Sequence, residues 1–354
     1  MNNFNEEIIF NDANEIASEF KNNFSKNRKY KWIITGGAGF LLSYFSYIVE
    51  VLVEKYDLNI KLVIYDSLFF GLSSRLKRLN RKKYISFIKK DLTKEEIKDL
   101  ECDFFIHGAS IASPTFYRKY PIETIKVNVL TLVKILEEFA KIKKKPQSII
   151  FMSSSEVYGN PPKKFIPTSE SYVGNVSFTG PRACYDESKR IGETICINYY
   201  ERFNLPIKII RPFNVYGPGQ NLEDKRIIPD TLKGITNREV ILFSDGRPKR
   251  SFCYISDQIR GIMNLMFKGK NGEAYNVGND EIISIKGIVQ KFIKKSKLNV
   301  KLKFKISRDK QYTTDNPQNR CPNLKKIKKI NNWKVKFRTD EGIERTLKYY
   351  NILN

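Results

Sequence analysis

The chain has 354 residues, 41% hydrophobic and 29% charged, a balance that suits a globular protein with one large α/β domain or two lobes. Its formal net charge is +25, but the lysines are spread along the chain and no zinc-finger spacing or RNA-binding signature occurs, so nucleic acid is not expected as the main partner. No apolar run reaches the roughly 18 residues of a membrane span, and no secretory h-region opens the chain, so neither a membrane nor a secretory role is expected.

Residues 1–28 mix Asn, Glu, Asp and Lys and read as an N-terminal helical extension with a character of its own. Tyr30–Thr35 reads as a strand, Ser43–Lys55 as a helix with an apolar stripe, and Lys61–Tyr65 as a second strand. Asp103–His107, Ser148–Met152 and Ile207–Ile210 are further candidates for buried strands. After about Pro212 the pattern loosens into loops and short elements, ending in a helix around Thr339–Tyr350. Strands alternating with helices imply a parallel sheet covered on both faces. The expected fold is α/β: a Rossmann-type doubly wound parallel sheet over residues 29–211, with a smaller C-terminal substrate-binding lobe. Residues 212–354 form mainly that lobe, with some segments returning to the sheet domain. Ligands in such folds bind beyond the carboxyl ends of the strands.

Thr35-Gly36-Gly37-Ala38-Gly39-Phe40 lies between a predicted strand and a predicted helix. Gly36 and Gly39 permit a tight turn that brings backbone N–H groups to a pyrophosphate. Asp66, at the end of the second strand, is suited to adenosine ribose hydroxyls, which favours NAD over NADP. A helix cap or turn is its alternative role, as it is for Asp91. The third glycine of the Gly-x-x-Gly-x-x-Gly spacing is replaced by Leu42. Leu42 should push the first helix outward or need a small neighbour opposite.

The five cysteines, Cys102, Cys184, Cys196, Cys253 and Cys321, are far apart and odd in number, which fits free thiols in a reducing, cytoplasmic compartment. His107 is the one histidine, which argues against a zinc site or a His-based triad. It reads as a structural residue.

Tyr185 and Lys189, four residues apart on a predicted helix, share a face. A nearby ammonium would stabilise the phenolate, so Tyr185 can take a hydroxyl proton. Ser153–Gly159 follows a strand and sets hydroxyls and Glu156 at its carboxyl end.

Together with Arg211–Pro218 and Arg250-Ser251-Phe252, these stretches resemble the extended short-chain dehydrogenase/reductase family of nucleotide-sugar epimerases, dehydratases and decarboxylases. The resemblance runs from about Lys31 to the C-terminus. The run Gly180–Arg190, the loop Ser113-Pro114 with Tyr117, and Asp315–Arg320 are similar to the UDP-glucuronate decarboxylases. That resemblance implies NAD held by Gly36, Gly39, Phe40, Leu41, Asp66, Asp91, Leu92, Ala109, Asn128, Tyr185, Lys189 and Pro212. It implies a UDP-sugar held by Tyr117, Ser154, Asn214, Arg226, Arg250 and Arg320, with Ser154, Glu156, Tyr185, Lys189 and Arg320 catalytic. It further implies a homodimer and a place in polysaccharide biosynthesis.

On this reading the sugar is oxidised at C4 and then decarboxylated at C5. A nucleotide-sugar 4,6-dehydratase is the alternative, but it needs an acid where this chain has Ser155. A C4 epimerase would need no special arginine. A dinucleotide- or nucleic-acid-binding module without turnover would not need Ser154, Tyr185 and Lys189 together. The alternative roles are a surface pairing of Arg320 with Asp315, surface ion pairs for Arg226 and Arg250, packing for Tyr117 and a turn for Asn214.

Overall fold

The computed structural model describes residues 4–69, 71–305, 307, 314 and 316–353. Six strands, β1 (Tyr30–Thr35), β2 (Ile60–Asp66), β3 (Ile85–Lys89), β4 (Phe104–His107), β5 (Ser148–Met152) and β6 (Ile207–Pro212), join the later strand Glu273–Val277 in one parallel sheet. The spatial order is Glu273–Val277, β6, β5, β4, β1, β2, β3. The chain reverses direction across the sheet between β1 and β4, where Thr35 pairs with His107, so the crevice expected of a doubly wound fold opens there.

The alternation along β1 explains why both faces are covered. Trp32 and Ile34 join a core containing Phe45 and Ile259, whereas Ile33 joins one containing Phe105, Leu136 and Phe151. A strand's side chains point to opposite faces with period two, so the consecutive apolar residues Trp32, Ile33 and Ile34 must be buried on both sides.

The expected strands Lys61–Tyr65, Asp103–His107 and Ile207–Ile210 differ from the observed ones by one or two residues at their ends, where pairing frays. The helix Ile255–Lys268 packs on β5, β6 and Glu273–Val277. The remaining C-terminal elements include Lys249–Ser251, flanked by Ile282–Ser284 (antiparallel) and by Asn319–Arg320 (parallel).

Helix α1 (Glu7–Phe20) buries Ile9, Ala13, Ile16 and Phe20 and packs on helix α2 (Tyr44–Glu54), on Ile255–Lys268 and on Thr339–Tyr349. Its fully buried Asp12 accepts hydrogen bonds from Tyr254 Oη (2.7 Å) and Arg345 Nη2 (2.6 Å). Glu15 and Glu19 pair with Arg260 at 2.9 and 3.0 Å. The acids of α1 thus neutralise cations of the C-terminal half. Removing one partner of a buried ion pair strands the other, so Asp12→Ala is expected to cost about 3–5 kcal/mol. Urea unfolding should show a lower midpoint with an unchanged slope; a midpoint within error of the parent would contradict this role.

Candidate active site

The carboxyl ends of the strands open into a cleft of about 1640 Å³ that reaches from the glycine loop to Arg320. At one end Gly36 has φ +71°, and its N–H donates to Tyr65 O at 2.8 Å. A Cβ on Gly36 would stand 2.7 Å from the backbone of Ala109, so only glycine fits.

Leu42 is accommodated by a small neighbour. A Cβ added to Gly108 would lie 2.2 Å from Leu42 Cδ1, so Gly108 supplies at β4 the space that the motif's third glycine ordinarily leaves at the helix. Gly108→Ala is therefore expected to destabilise by about 1–3 kcal/mol through overpacking. Leu42→Ala should recover most of that loss in the double variant, and a thermodynamic cycle measures the coupling. Additive single effects would show that the two sites do not compete for space.

Asp66 Oδ2 accepts from Ala38 N–H (3.1 Å) and Oδ1 from Leu68 N–H (2.8 Å). Burial raises its carboxyl above the usual range while these two hydrogen bonds oppose the shift. Each oxygen keeps a lone pair for a ribose hydroxyl. Asp91 caps its own turn, accepting from Thr93 Oγ1 (2.7 Å) and Thr93 N (3.1 Å), yet still lines the cleft. Gly39, Phe40, Leu41, Leu92, Ala109 and Pro212 line it as well. A backbone cradle that Cβ atoms would fill, with an acid one strand away, fits a dinucleotide. Asn128 differs from the expectation. It does not line the cleft; its Nδ2 donates to Ser188 Oγ at 2.9 Å and braces the Tyr185 helix from behind.

Tyr185 and Lys189 occupy the first turns of the helix Ala183–Phe203, both buried and both lining the cleft. Tyr185 is hydrogen-bonded to Ser154. Its ring stacks on Tyr117, with centroids 5.1 Å apart and planes at 12°. Lys189 Nζ donates to Met152 O at 2.8 Å and lies 5.8 Å from the Tyr185 ring centroid. Burial pushes the Tyr185 phenol up to about 12, with the Ser154 hydrogen bond pulling the other way, and pushes the Lys189 amine down to about 7. The stabilisation of phenolate expected from the four-residue spacing is thus outweighed by desolvation of both groups.

At the other end three guanidinium groups, of Arg182, Arg250 and Arg320, gather near the carboxylates of Glu156 and Asp186. Arg320 forks onto Glu156, with Nη1–Oε1 at 2.5 Å and Nη2–Oε2 at 2.6 Å, and Arg182 Nη2 reaches Oε2 at 2.5 Å. Burial favours a neutral Glu156, but the Arg182 and Arg320 charges overrule it and hold the carboxyl well below its usual range. Arg250 pairs in register with Arg320 on the neighbouring strand, a like-charge pairing that sheets ordinarily avoid. It donates to Lys249 O and Asn316 Oδ1 and has no carboxylate partner among the described residues. Burial, with Arg320 adding to it, pushes Arg250 down to about 9. Such surplus positive charge is an anion site.

The remaining candidates are also brought to the cleft. Arg226 pairs with Asp224 at 3.2 Å. Asn214 lines the cleft, and its Oδ1 has no hydrogen-bond partner among the described residues, as is true of the Tyr117 hydroxyl. Asp315 lies outside the described residues, and Arg320 is a buried residue paired with Glu156. His107 shares a 2.8 Å hydrogen bond with Thr35 Oγ1, and burial pushes it down to about 3, which keeps it neutral. All five cysteines are free, and among the described residues no acid, Cys or His cluster is arranged to hold a metal.

Two groups escaped the sequence reading. Arg182 stood inside the Gly180–Arg190 run, but nothing in spacing links it to Glu156, which lies 26 residues earlier. The second is a brace beneath the site, in which Arg211 bonds both Glu193 (2.8 Å) and Tyr158 Oη (2.7 Å), which in turn donates to Asn276 (2.7 Å).

Residues 32–278 match the family described as NAD dependent epimerase/dehydratase. The chain is 33% identical over 314 residues to UDP-glucuronic acid decarboxylase 6 of Arabidopsis thaliana, which covers 88% of this chain and 86% of that protein. It is 31% identical to UDP-glucuronic acid decarboxylase 1 of Xenopus tropicalis, over 92% of this chain and 73% of that one. The crystal structure of UDP-glucuronic acid 4-epimerase from Bacillus cereus, in complex with UDP-glucuronic acid and NAD, superposes with TM-score 0.78 at 25% identity, over 91% of this chain and 99% of that one. The dTDP-glucose 4,6-dehydratase DesIV from Streptomyces venezuelae has the same fold, with TM-score 0.78 at 19% identity over 91% of this chain and 97% of that one.

Proposed function

Because the chain belongs to the NAD dependent epimerase/dehydratase family, we propose that it converts a nucleotide sugar acid, UDP-glucuronate, by oxidation at C4 followed by decarboxylation at C5. The observation that carries this reading is an excess of positive charge: Arg182, Arg250 and Arg320, the last two buried, against the two carboxylates of Glu156 and Asp186. A substrate with a diphosphate and a carboxylate supplies the missing negative charge.

The Gly36–Gly39 loop and Asp66 would hold NAD, which when bound would supply the hydride acceptor. Tyr185 would act as a phenolate, a state that the positive charge of bound NAD would favour against desolvation, and would take the O4 proton while Ser154 hydrogen-bonds the same oxygen. Lys189 holds the nicotinamide ribose and the Tyr185 side. The C4 ketone makes the sugar a β-keto acid. The bond from C5 to the carboxylate then breaks, its electrons pass toward the C4 oxygen, and carbon dioxide leaves. Arg320 orients the carboxylate beforehand. Glu156, kept ionised, holds a water that gives its proton to C5; the hydride taken up in the first step would then return to C4 while Tyr185 gives the proton back to O4. Arg226, Arg250 and Asn214 serve the diphosphate, and Tyr117 packs on the sugar side of Tyr185.

A 4,6-dehydratase needs an acid for the leaving hydroxide. Ser155 is a poor one, and Glu156 is held as carboxylate. A C4 epimerase that retains the carboxylate is the second reading, supported by the 25% identity to the sugar-acid epimerase. Mass spectrometry of the product from UDP-glucuronate distinguishes them: loss of carbon dioxide is expected. Unchanged mass would indicate the epimerase, and loss of water the dehydratase.

Ile122, Leu130 and Ile191 are 57%, 55% and 44% exposed on adjoining helical segments, which supports a homodimer formed through that face. No helix among the described residues is long and apolar enough to cross a membrane. The free cysteines support a reducing, cytoplasmic setting. The product would serve polysaccharide biosynthesis. Residues 1–28 are read as an extension, 29–211 as the NAD-binding domain, and 212–354 as mainly the substrate lobe.

A further inference from the structure

Glu156 is clamped by two arginines that come from different parts of the fold. Arg182 stands at the N-terminus of the Tyr185 helix. Arg320 sits on the short strand Asn319–Arg320, beside Lys249–Ser251. They are held differently. Arg182 touches Glu156 at 2.5 Å, Asp186 at 3.7 Å and the face of Tyr117 at 5.8 Å. Arg320 has Glu156 as its one carboxylate partner among the described residues, and Arg250 crowds it from the neighbouring strand. Among the described residues, Arg182 has a second carboxylate beside it, whereas Arg320 has Glu156 alone.

An exchange of partners by Arg320 raises a problem that only the first arginine can solve. If Arg320 turns to a substrate carboxylate, Glu156 loses both bonds of the fork. A buried carboxylate without a partner takes up a proton or opposes the exchange. We propose that Arg182 is the positioning residue that keeps Glu156 ionised and in place when Arg320 passes to the carboxylate of the substrate. This rests on the decarboxylase reading and deepens it, because it makes Arg320 available without converting Glu156 into an acid. The charged and titratable groups facing Glu156 are Arg182 and Tyr185 from the helix side, Arg320 and Arg250 from the strand pair, and Tyr117 from the substrate loop.

The test compares Arg182→Gln and Arg182→Lys with the parent enzyme, both loaded with NAD. Release of carbon dioxide from UDP-glucuronate by the parent tests the decarboxylase reading by itself. The variants then test Arg182. In Arg182→Gln, kcat/KM for UDP-glucuronate should fall roughly 30-fold or more, the range for truncating a partner of a buried charge pair. The dissociation constant of UDP, which lacks the carboxylate, should stay within about twofold. The acid limb of the kcat/KM profile should move to higher pH. With one guanidinium gone, Glu156 protonates at a higher pH and the active carboxylate is lost earlier as pH falls. Arg182→Lys keeps the charge and should leave that limb near its parent position. An unmoved limb in the Gln variant, an equal loss of UDP affinity, or a Lys variant as shifted as the Gln variant would each overturn the proposal.

Discussion

Tyr185→Phe should lower kcat by roughly 10²- to 10⁴-fold, the contribution of a positioned general base, while the protein still carries its dinucleotide. The substitution removes only the hydroxyl that meets Ser154. The ring, with its 5.1 Å stack on Tyr117, remains. The glycine loop, Asp66 and Lys189 are untouched, and Lys189 keeps its bond to Met152 O. Dinucleotide content by mass spectrometry and single-turnover absorbance of the reduced nicotinamide measure the two halves separately. A folded variant that has lost its dinucleotide would show that Tyr185 holds the cofactor instead of moving a proton.

The second large effect is expected at Arg320. Arg320→Met keeps an unbranched apolar stem and removes the charge. Losing one partner of a buried, hydrogen-bonded charge pair costs about 2–5 kcal/mol, so kcat/KM for UDP-glucuronate should fall between roughly 30- and several-thousand-fold. Glu156 keeps Arg182, so the fold should survive with a small shift in melting temperature. If Arg320 acts mainly on the carboxylate, C4 oxidation proceeds and decarboxylation stalls, and the reduced nicotinamide accumulates under single-turnover conditions. A variant with parental kcat/KM would leave Arg320 no role beyond pairing with Glu156.

Mass spectrometry, pH profiles and these two variants address different atoms of one cleft. Tyr185 acts on O4, Arg320 on the carboxylate, and Glu156 on the water or hydroxyl between them. The separation matters because Glu156 is coupled to two cations: a change at Arg320 also alters the field on Glu156, and the Arg182 variants are needed to apportion the effect.

The local chemistry was legible in the chain itself. Consecutive apolar residues between polar turns must be a strand buried on both faces, and Trp32–Ile34 in β1, Phe104–Ile106 in β4 and Ile149–Met152 in β5 are such runs. The tight turn at Gly36 and the acid at Asp66 are set by short-range sterics and by a spacing of one βαβ unit, so the dinucleotide end could be read before any contact was known. The pairing of Tyr185 with Lys189 follows from helical periodicity alone. Tertiary structure decided what depends on distant segments meeting. Leu42 is tolerated because β4 brings Gly108 beside it, 66 positions later in the chain. Asn128 turned away from the cleft because Ser188 offered it a buried partner. Burial, which no spacing encodes, moved Tyr185 and Lys189 in directions opposite to those the ammonium–phenolate pairing favours. The charge state of Glu156 was likewise decided by Arg182 and Arg320, which approach it from separate elements. Sequence determines local backbone preference and periodicity; electrostatic fields and desolvation belong to the folded arrangement, since they depend on distances through space.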